Sequence, residues 1–161
     1  MFSRCLVALD LSAQNKVVFQ LALELAQKTG ASLMLVHVTS TEDPESPSMP
    51  TLISPDYSPA GATSVIEIYE KLWQAYEEKG YQMLQDFDDQ ALQAGITIEY
   101  AQHPGSPGKT LCKLAETQEA DLIIIGRRGH SGWNELIAGS VSNYVMHYAP
   151  CSVLIVQNPR I

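Results

Sequence analysis

The sequence predicts an α/β fold, an open parallel sheet covered by helices on both faces. Three observations carry that expectation. Short apolar runs recur along the chain, the stretches between them show helical spacing of apolar residues, and glycine or proline stands at most of the junctions. Runs such as Leu122-Ile123-Ile124-Ile125, apolar at every position, suit strands buried on both faces. At 161 residues the chain is read as one domain over 1–161, large enough for a core without disulfides or metals.

Leu6 to Leu9 is the first strand. Asp10-Leu11-Ser12 then caps a helix whose face is Val17, Leu21 and Leu25, widened by Val18 and Ala22. Lys28 in its last turn and Gly30 just beyond form a stop signal. Ser32 to Val38 is the second strand. The segment from Thr39 to Thr63 contains Pro44, Pro47, Pro50, Pro55 and Pro59 among serines, which excludes a central strand or a helix interior. A loop of that length is a lid, a contact arm or a spacer.

Ser64 to Ala94 reads as a long helix through Val65, Ile68, Leu72, Tyr76, Met83 and Phe87, with Gly80 a point of bending or breakage and Gly95 its end. Ile96 to Tyr100 is the third strand, Pro107 to Gln118 a helix, and Leu122 to Ile125 the fourth strand. Ser140 to Tyr148 is a further helix and Ser152 to Val156 the last strand.

The densest chemical signal follows the fourth strand: Gly126-Arg127-Arg128-Gly129, nine residues, then Gly139-Ser140. A glycine-rich turn between a buried strand and a helix N-terminus is a phosphate cradle. Glycines let backbone N–H groups approach the oxygens, and the helix end supplies unpaired donors and partial positive charge. Gly105-Ser106-Pro107-Gly108-Lys109-Thr110 imitates a P-loop but lacks its opening glycine, His103 standing in that place, and no aspartate closes a later strand. It reads instead as a turn with Pro107 at the first helical position.

Composition narrows the partners. A net charge of −8 repels nucleic acid and anionic lipid, and the adjacent cations Arg127 and Arg128 suffice for one small anion. At most one of the pair is expected to touch ligand. No apolar run reaches a membrane span, and the N-terminus does not resemble a signal peptide, so a cytoplasmic protein is expected. Cys5, Cys112 and Cys151, odd in number and widely spaced, form no disulfide or zinc pattern. The four histidines show no ligand spacing, so a metal such as magnesium would arrive with a nucleotide. His130 and Trp133 are read as ordinary loop residues, and His37 as a strand residue near the crevice rather than a general base.

The spacing Gly126-x2-Gly129-x9-Gly139-Ser140, the opening Leu6-Val7-Ala8-Leu9-Asp10-Leu11-Ser12 and the ending Ala149-Pro150-Cys151-Ser152-Val153-Leu154-Ile155-Val156 together resemble the nucleotide-binding branch of the universal stress protein family. The resemblance covers the chain except its Pro/Ser-rich segment. It implies a five-stranded sheet in the order 3-2-1-4-5, of the adenine nucleotide alpha hydrolase type, with the first and fourth strands meeting where the topology reverses. It further implies ATP or AMP as ligand. Ala8 and Asp10 would lie near base and ribose, and Val38 would offer a backbone contact to adenine. Gly126, Arg128, Gly129, Gly139, Ser140, Val141 and Ser142 would surround ribose and phosphates. A paired arginine is unusual between these glycines. Family members commonly dimerise through the last strand, so Val153 to Val156 is the expected interface, an exposed sheet edge being open to pairing.

The implied role is a stress-response sensor or regulator with at most slow ATP hydrolysis. One rival is a nucleotide-dependent enzyme, but no nucleophile–base pair is apparent, and neither a Ser-Gly-Gly pyrophosphate loop nor His-x-Gly-His occurs. Another is a partner-binding module with structural nucleotide, whose contact would be the arm 39–63 and whose deletion would spare nucleotide binding.

Overall fold

A computed structural model of the chain describes residues 2–49, 59–127 and 139–157, with residues 59–63 described through their backbone alone. The elements are β1 (Arg4–Leu9), α1 (Asn15–Thr29), β2 (Ser32–Thr39), α2 (Pro59–Gln93), β3 (Ile98–Pro104), α3 (Pro107–Thr117), β4 (Leu122–Gly126), α4 (Ser140–Tyr148) and β5 (Ser152–Val156). All strand pairs are parallel and the sheet order is β3-β2-β1-β4-β5, as the resemblance implies.

Alternation along the strands divides the core into two layers. Cys5, Val7 and Leu9 of β1, with Leu33 and Leu35 of β2, pack under α1 and α2 through Val18, Phe19, Ala22, Leu84 and Phe87. Leu6, Val36, Ile123 and Ile125 face the other way, under α3 and α4 through Leu111, Ala115 and Val145. The inner strands are apolar at nearly every position because both faces are covered.

Helix α1 starts later than its sequence suggests. Its N-cap is Gln14, without a side-chain capping bond, so Asp10 does not cap it. The buried positions are Val18, Phe19, Ala22, Leu23 and Ala26, whereas Val17 and Leu21 lie on the outer side. Two overlapping i, i+4 series compete here, and the stack of Phe19 on Phe87, 4.3 Å between ring centroids, accompanies burial of the second. The stop at Gly30 stands as read: its φ of +76° is left-handed and its N–H bonds the Ala26 carbonyl.

Helix α2 runs for 35 residues from Pro59, a proline at a first position that requires no N–H, and passes through Gly80 without interruption. At about 1.5 Å per residue it spans roughly 50 Å, far more than any strand of the sheet. Tyr76, Leu84, Phe87 and Ala91 are therefore buried, while none of residues 64–75 is, and the expected core positions Ile68 and Leu72 face solvent. Gly80 is explained by proximity. A Cβ there would stand 2.3 Å from His37 Nδ1 and 2.5 Å from Gln102 Oε1. Strand β3 begins two residues later than expected and continues to Pro104, in register with β2 up to Thr39.

Candidate functional site

The strand order places the carboxyl ends of β1 and β4 side by side, Ala8 in register with Ile125, at the point where the chain's direction of winding reverses. Loops leave an adjoining pair of strands in opposite directions at such a point, and a cleft opens between them. It is lined by Ala8 and Asp10 from the end of β1, Val36 and Val38 from β2, Gly126 from β4, and Gly139, Ser140, Val141 and Ser142 at the start of α4. Eight of the ten expected contact residues therefore share one cleft. Arg128 and Gly129 lie outside the described residues, as do His130 and Trp133.

Each wall has a local cause. Asp10 Oδ1 accepts from the Ser12 N–H at 3.0 Å and from the Ser12 hydroxyl, an Asx-type turn that fixes the carboxylate at the mouth of the cleft. Its carbonyl accepts from Asn15 Nδ2 at 3.0 Å, tying the turn to α1. Gly126 is closely bounded, a Cβ there meeting Val18 Cγ2 at 3.1 Å and Gln14 at 3.2 Å. The nine-residue α4 starts from Gly139, whose carbonyl accepts from the buried Ser142 hydroxyl at 3.0 Å. The N–H groups of its first turn have no intrahelical acceptor and carry the positive end of the helix dipole.

Several lining residues were not anticipated. The Gln14 side chain, 7% exposed, donates to the Val156 carbonyl at 2.9 Å, which also accepts from Arg127 N at 2.8 Å. That ties the start of α1 to the ends of β4 and β5 beside the cleft. Pro107 and Leu111 add apolar surface from α3. Of the P-loop imitation only Pro107 reaches the cleft: Gly105, at φ +138°, turns the chain, Ser106 is the N-cap of α3, and Lys109 is exposed and does not line the cleft.

Glu42 and Asp43 also line the cleft, from the Pro/Ser-rich segment. Residues 40–46 form a folded strap. Asp43 N bonds the Ser40 carbonyl at 3.1 Å, Ser46 N bonds the Asp43 carbonyl at 2.9 Å, and Asp43 Oδ1 accepts from Glu45 N at 3.0 Å. The Tyr76 hydroxyl donates to Asp43 Oδ2 at 3.1 Å and accepts from Ser40 N at 3.4 Å. Removal of the whole 39–63 segment would thus remove part of the cleft wall, contrary to the expectation that the site would be spared. The sequence signal was an acidic pair placed directly after a strand whose carboxyl end faces the crevice.

The cleft is electrically polarised. Carboxylates of Asp10, Glu42 and Asp43 stand at the β1 and β2 side, and a helix N-terminus stands at the β4 side. Such a site accepts a ligand with an anionic group at one end and hydrogen-bond donors at the other. Among the described residues no cluster of three or more His, Cys, Asp or Glu is arranged to hold a metal ion, and no helix is long and apolar enough to cross a membrane.

Comparison with known proteins agrees with this arrangement. Residues 1–157 match the model of the universal stress protein family. A universal stress protein of Synechocystis sp. is 33% identical over 157 residues, covering 98% of this chain and 99% of that protein. Among solved structures, universal stress protein UspA from Lactobacillus plantarum superposes with a TM-score of 0.71 at 22% identity, over 96% of this chain and 97% of that one. A universal stress protein in complex with cAMP gives 0.60 at 24% identity over 96% of each chain. A family protein from Arabidopsis thaliana with AMP bound gives 0.63 at 19% identity, over 98% of this chain and 92% of the other. At these identities the structures establish the shared fold.

Proposed function

The chain belongs to the universal stress protein family, and on that footing we propose that it binds an adenine nucleotide, ATP or AMP, in the cleft between β1 and β4 and acts as a nucleotide-responsive regulator in stress. One observation carries the reading: Asp10, Val38, Gly126 and Gly139 to Ser142, far apart in sequence, line a single cleft at the topological switch point. The phosphates sit at the N-terminus of α4, where the first-turn N–H groups point at an anion. Ribose hydroxyls donate to Asp10, and the base lies on the apolar surface of Val36 and Val38. Arg128 and Gly129 complete the phosphate end, with magnesium entering on the nucleotide if at all. The similar proteins solved with AMP and cAMP support an adenine ligand.

The reading is of a protein that holds its ligand. No nucleophile paired with a base lines the described part of the cleft, so hydrolysis with magnesium is expected well below the roughly 1 per second of an ordinary enzyme. Assembly is proposed as a homodimer through Val153 to Val156, since β5 is an edge strand with Leu154 36% exposed. Isothermal titration with ATP and AMP tests the core of the reading. Gly139→Val and Gly129→Val are expected to abolish binding while far-ultraviolet circular dichroism is unchanged. Undiminished affinity in both variants refutes the assignment of the glycine motif.

A further inference from the structure

Resting on the nucleotide reading, we infer that Asp43, held by Tyr76, is the residue that selects the base, favouring a purine with a 6-amino group over one with a 6-oxo group. The argument begins with distance. Strands in a sheet lie about 4.8 Å apart, so β2 is roughly 10 Å from β4 across β1. A phosphate on the N-terminus of α4, beyond β4, therefore directs the nucleoside across β1 toward β2 and the strap that follows it. Val36 and Val38 offer the base an apolar face there, and Glu42 and Asp43 stand at its edge.

Asp43 is the better placed of the two because it is fixed. It is 7% exposed, with Oδ1 accepting from Glu45 N at 3.0 Å and Oδ2 from the Tyr76 hydroxyl at 3.1 Å. His37 Nε2 lies 4.0 Å from Oδ2, beyond hydrogen-bond range, while its Nδ1 is 2.8 Å from Gln102 Oε1. Gln102 Nε2 donates to the Glu77 carbonyl at 3.1 Å, so Gln102 presents its oxygen and His37 Nδ1 is the donor of that pair. The carboxylate is thus set by Tyr76 of α2 and by its own strap. An ionised carboxylate only accepts, through about four lone-pair sites. A base edge meeting it must bring an N–H. The 6-amino group of adenine does so, whereas the 6-oxo group of hypoxanthine sets its oxygen against a carboxylate oxygen, a repulsive contact in a buried site. Tyr76 acts through Asp43 and is a positioning residue.

The test is titration calorimetry of AMP, IMP and GMP against the full chain, Asp43→Asn and Tyr76→Phe. The wild type is expected to prefer AMP to IMP by about 10- to 100-fold, the range of one charged hydrogen bond. Asp43→Asn, which adds a donor without changing shape, should bring that ratio within about 3-fold, and Tyr76→Phe should narrow it part of the way. General loosening of the fold lowers both affinities and leaves their ratio in place, so the ratio separates a positioning role from a structural one. If Asp43→Asn does not fold, Tyr76→Phe decides. A wild-type ratio near one, tighter binding of GMP than AMP, or an unchanged ratio in the variants overturns the inference and leaves the nucleotide reading standing. Failure of the wild type to bind any adenine nucleotide overturns both.

Discussion

Replacement of Gly80 by alanine sets two physical effects against each other. In the interior of α2 the change improves helix propensity by about 1 kcal/mol, which alone would stabilise the protein. Opposing it, the new Cβ would lie 2.3 Å from His37 Nδ1 and 2.5 Å from Gln102 Oε1, well inside contact distance. His37 is 1% exposed and its ring is held by a 2.8 Å hydrogen bond to Gln102, so the ring cannot swing into solvent. Overpacking a closed site costs about 1–3 kcal/mol. Breaking the buried His37–Gln102 bond costs a further 1–3 kcal/mol or so. Net destabilisation of about 1–5 kcal/mol is expected for Gly80→Ala, a fall in melting temperature of roughly 2–20 °C for a domain of this size. Urea unfolding followed by circular dichroism measures it. The same substitution in a His37→Ala background should be neutral or stabilising, because the obstructing ring is gone. An unchanged or higher urea midpoint for Gly80→Ala alone would refute the close-packing explanation and restore propensity as the governing term.

Three further outcomes follow from packing and charge. Burial, aided by the Asp121 carboxylate and by Cys151, raises the Cys5 thiol from 9.0 to about 11. Because the folded pKa is the higher one, this contribution is fully present below pH 9 and is lost as pH rises through 11, a span worth on the order of 2–3 kcal/mol. Urea midpoints between pH 8 and 11 should therefore fall more steeply for the wild type than for Cys5→Ala, and parallel curves would show that Cys5 does not contribute. Phe87→Ala removes a fully packed partner of Phe19 and should cost about 3–5 kcal/mol, visible as a lowered urea midpoint; a loss under 1 kcal/mol would mean that the stack is not part of the core. Leu154→Lys places a charge on the exposed edge strand, and light scattering should then find a monomer where the wild type is expected to be a dimer; a persistent dimer would put the interface elsewhere.

Much of the fold was readable because the signals were local. Gly30 ends α1 through a left-handed turn that its own position demands, Pro107 opens α3 where no N–H is needed, and the bounds of α4 and β5 coincide with the expected ones. Errors arose where a neighbour decides. Val17 and Leu21 have the same spacing as Val18 and Ala22, and only the position of the sheet and of Phe87 determines which series is inside. Ile68 and Leu72 carry the same helical spacing as Tyr76 and Phe87, yet the helix outruns the sheet and nothing remains to bury them.

The candidate site divides along the same line. Gly126 and Gly139-Ser140, which line the cleft, could be named from sequence because a strand, glycine turn and helix start impose residue types at short, fixed separations, and Asp10 could be named through the family resemblance. Gln14, Asp43 and Tyr76 could not, since their roles rest on hydrogen bonds spanning 142 residues for Gln14 to Val156 and 33 for Tyr76 to Asp43. By itself the sequence determined the element types, the glycine-rich spacing after the fourth strand and the acidic character of the chain. Tertiary structure alone decided that a strap from the proline-rich segment closes the β2 side of the cleft, because a chain's local pattern specifies a turn but not the partner on which it folds.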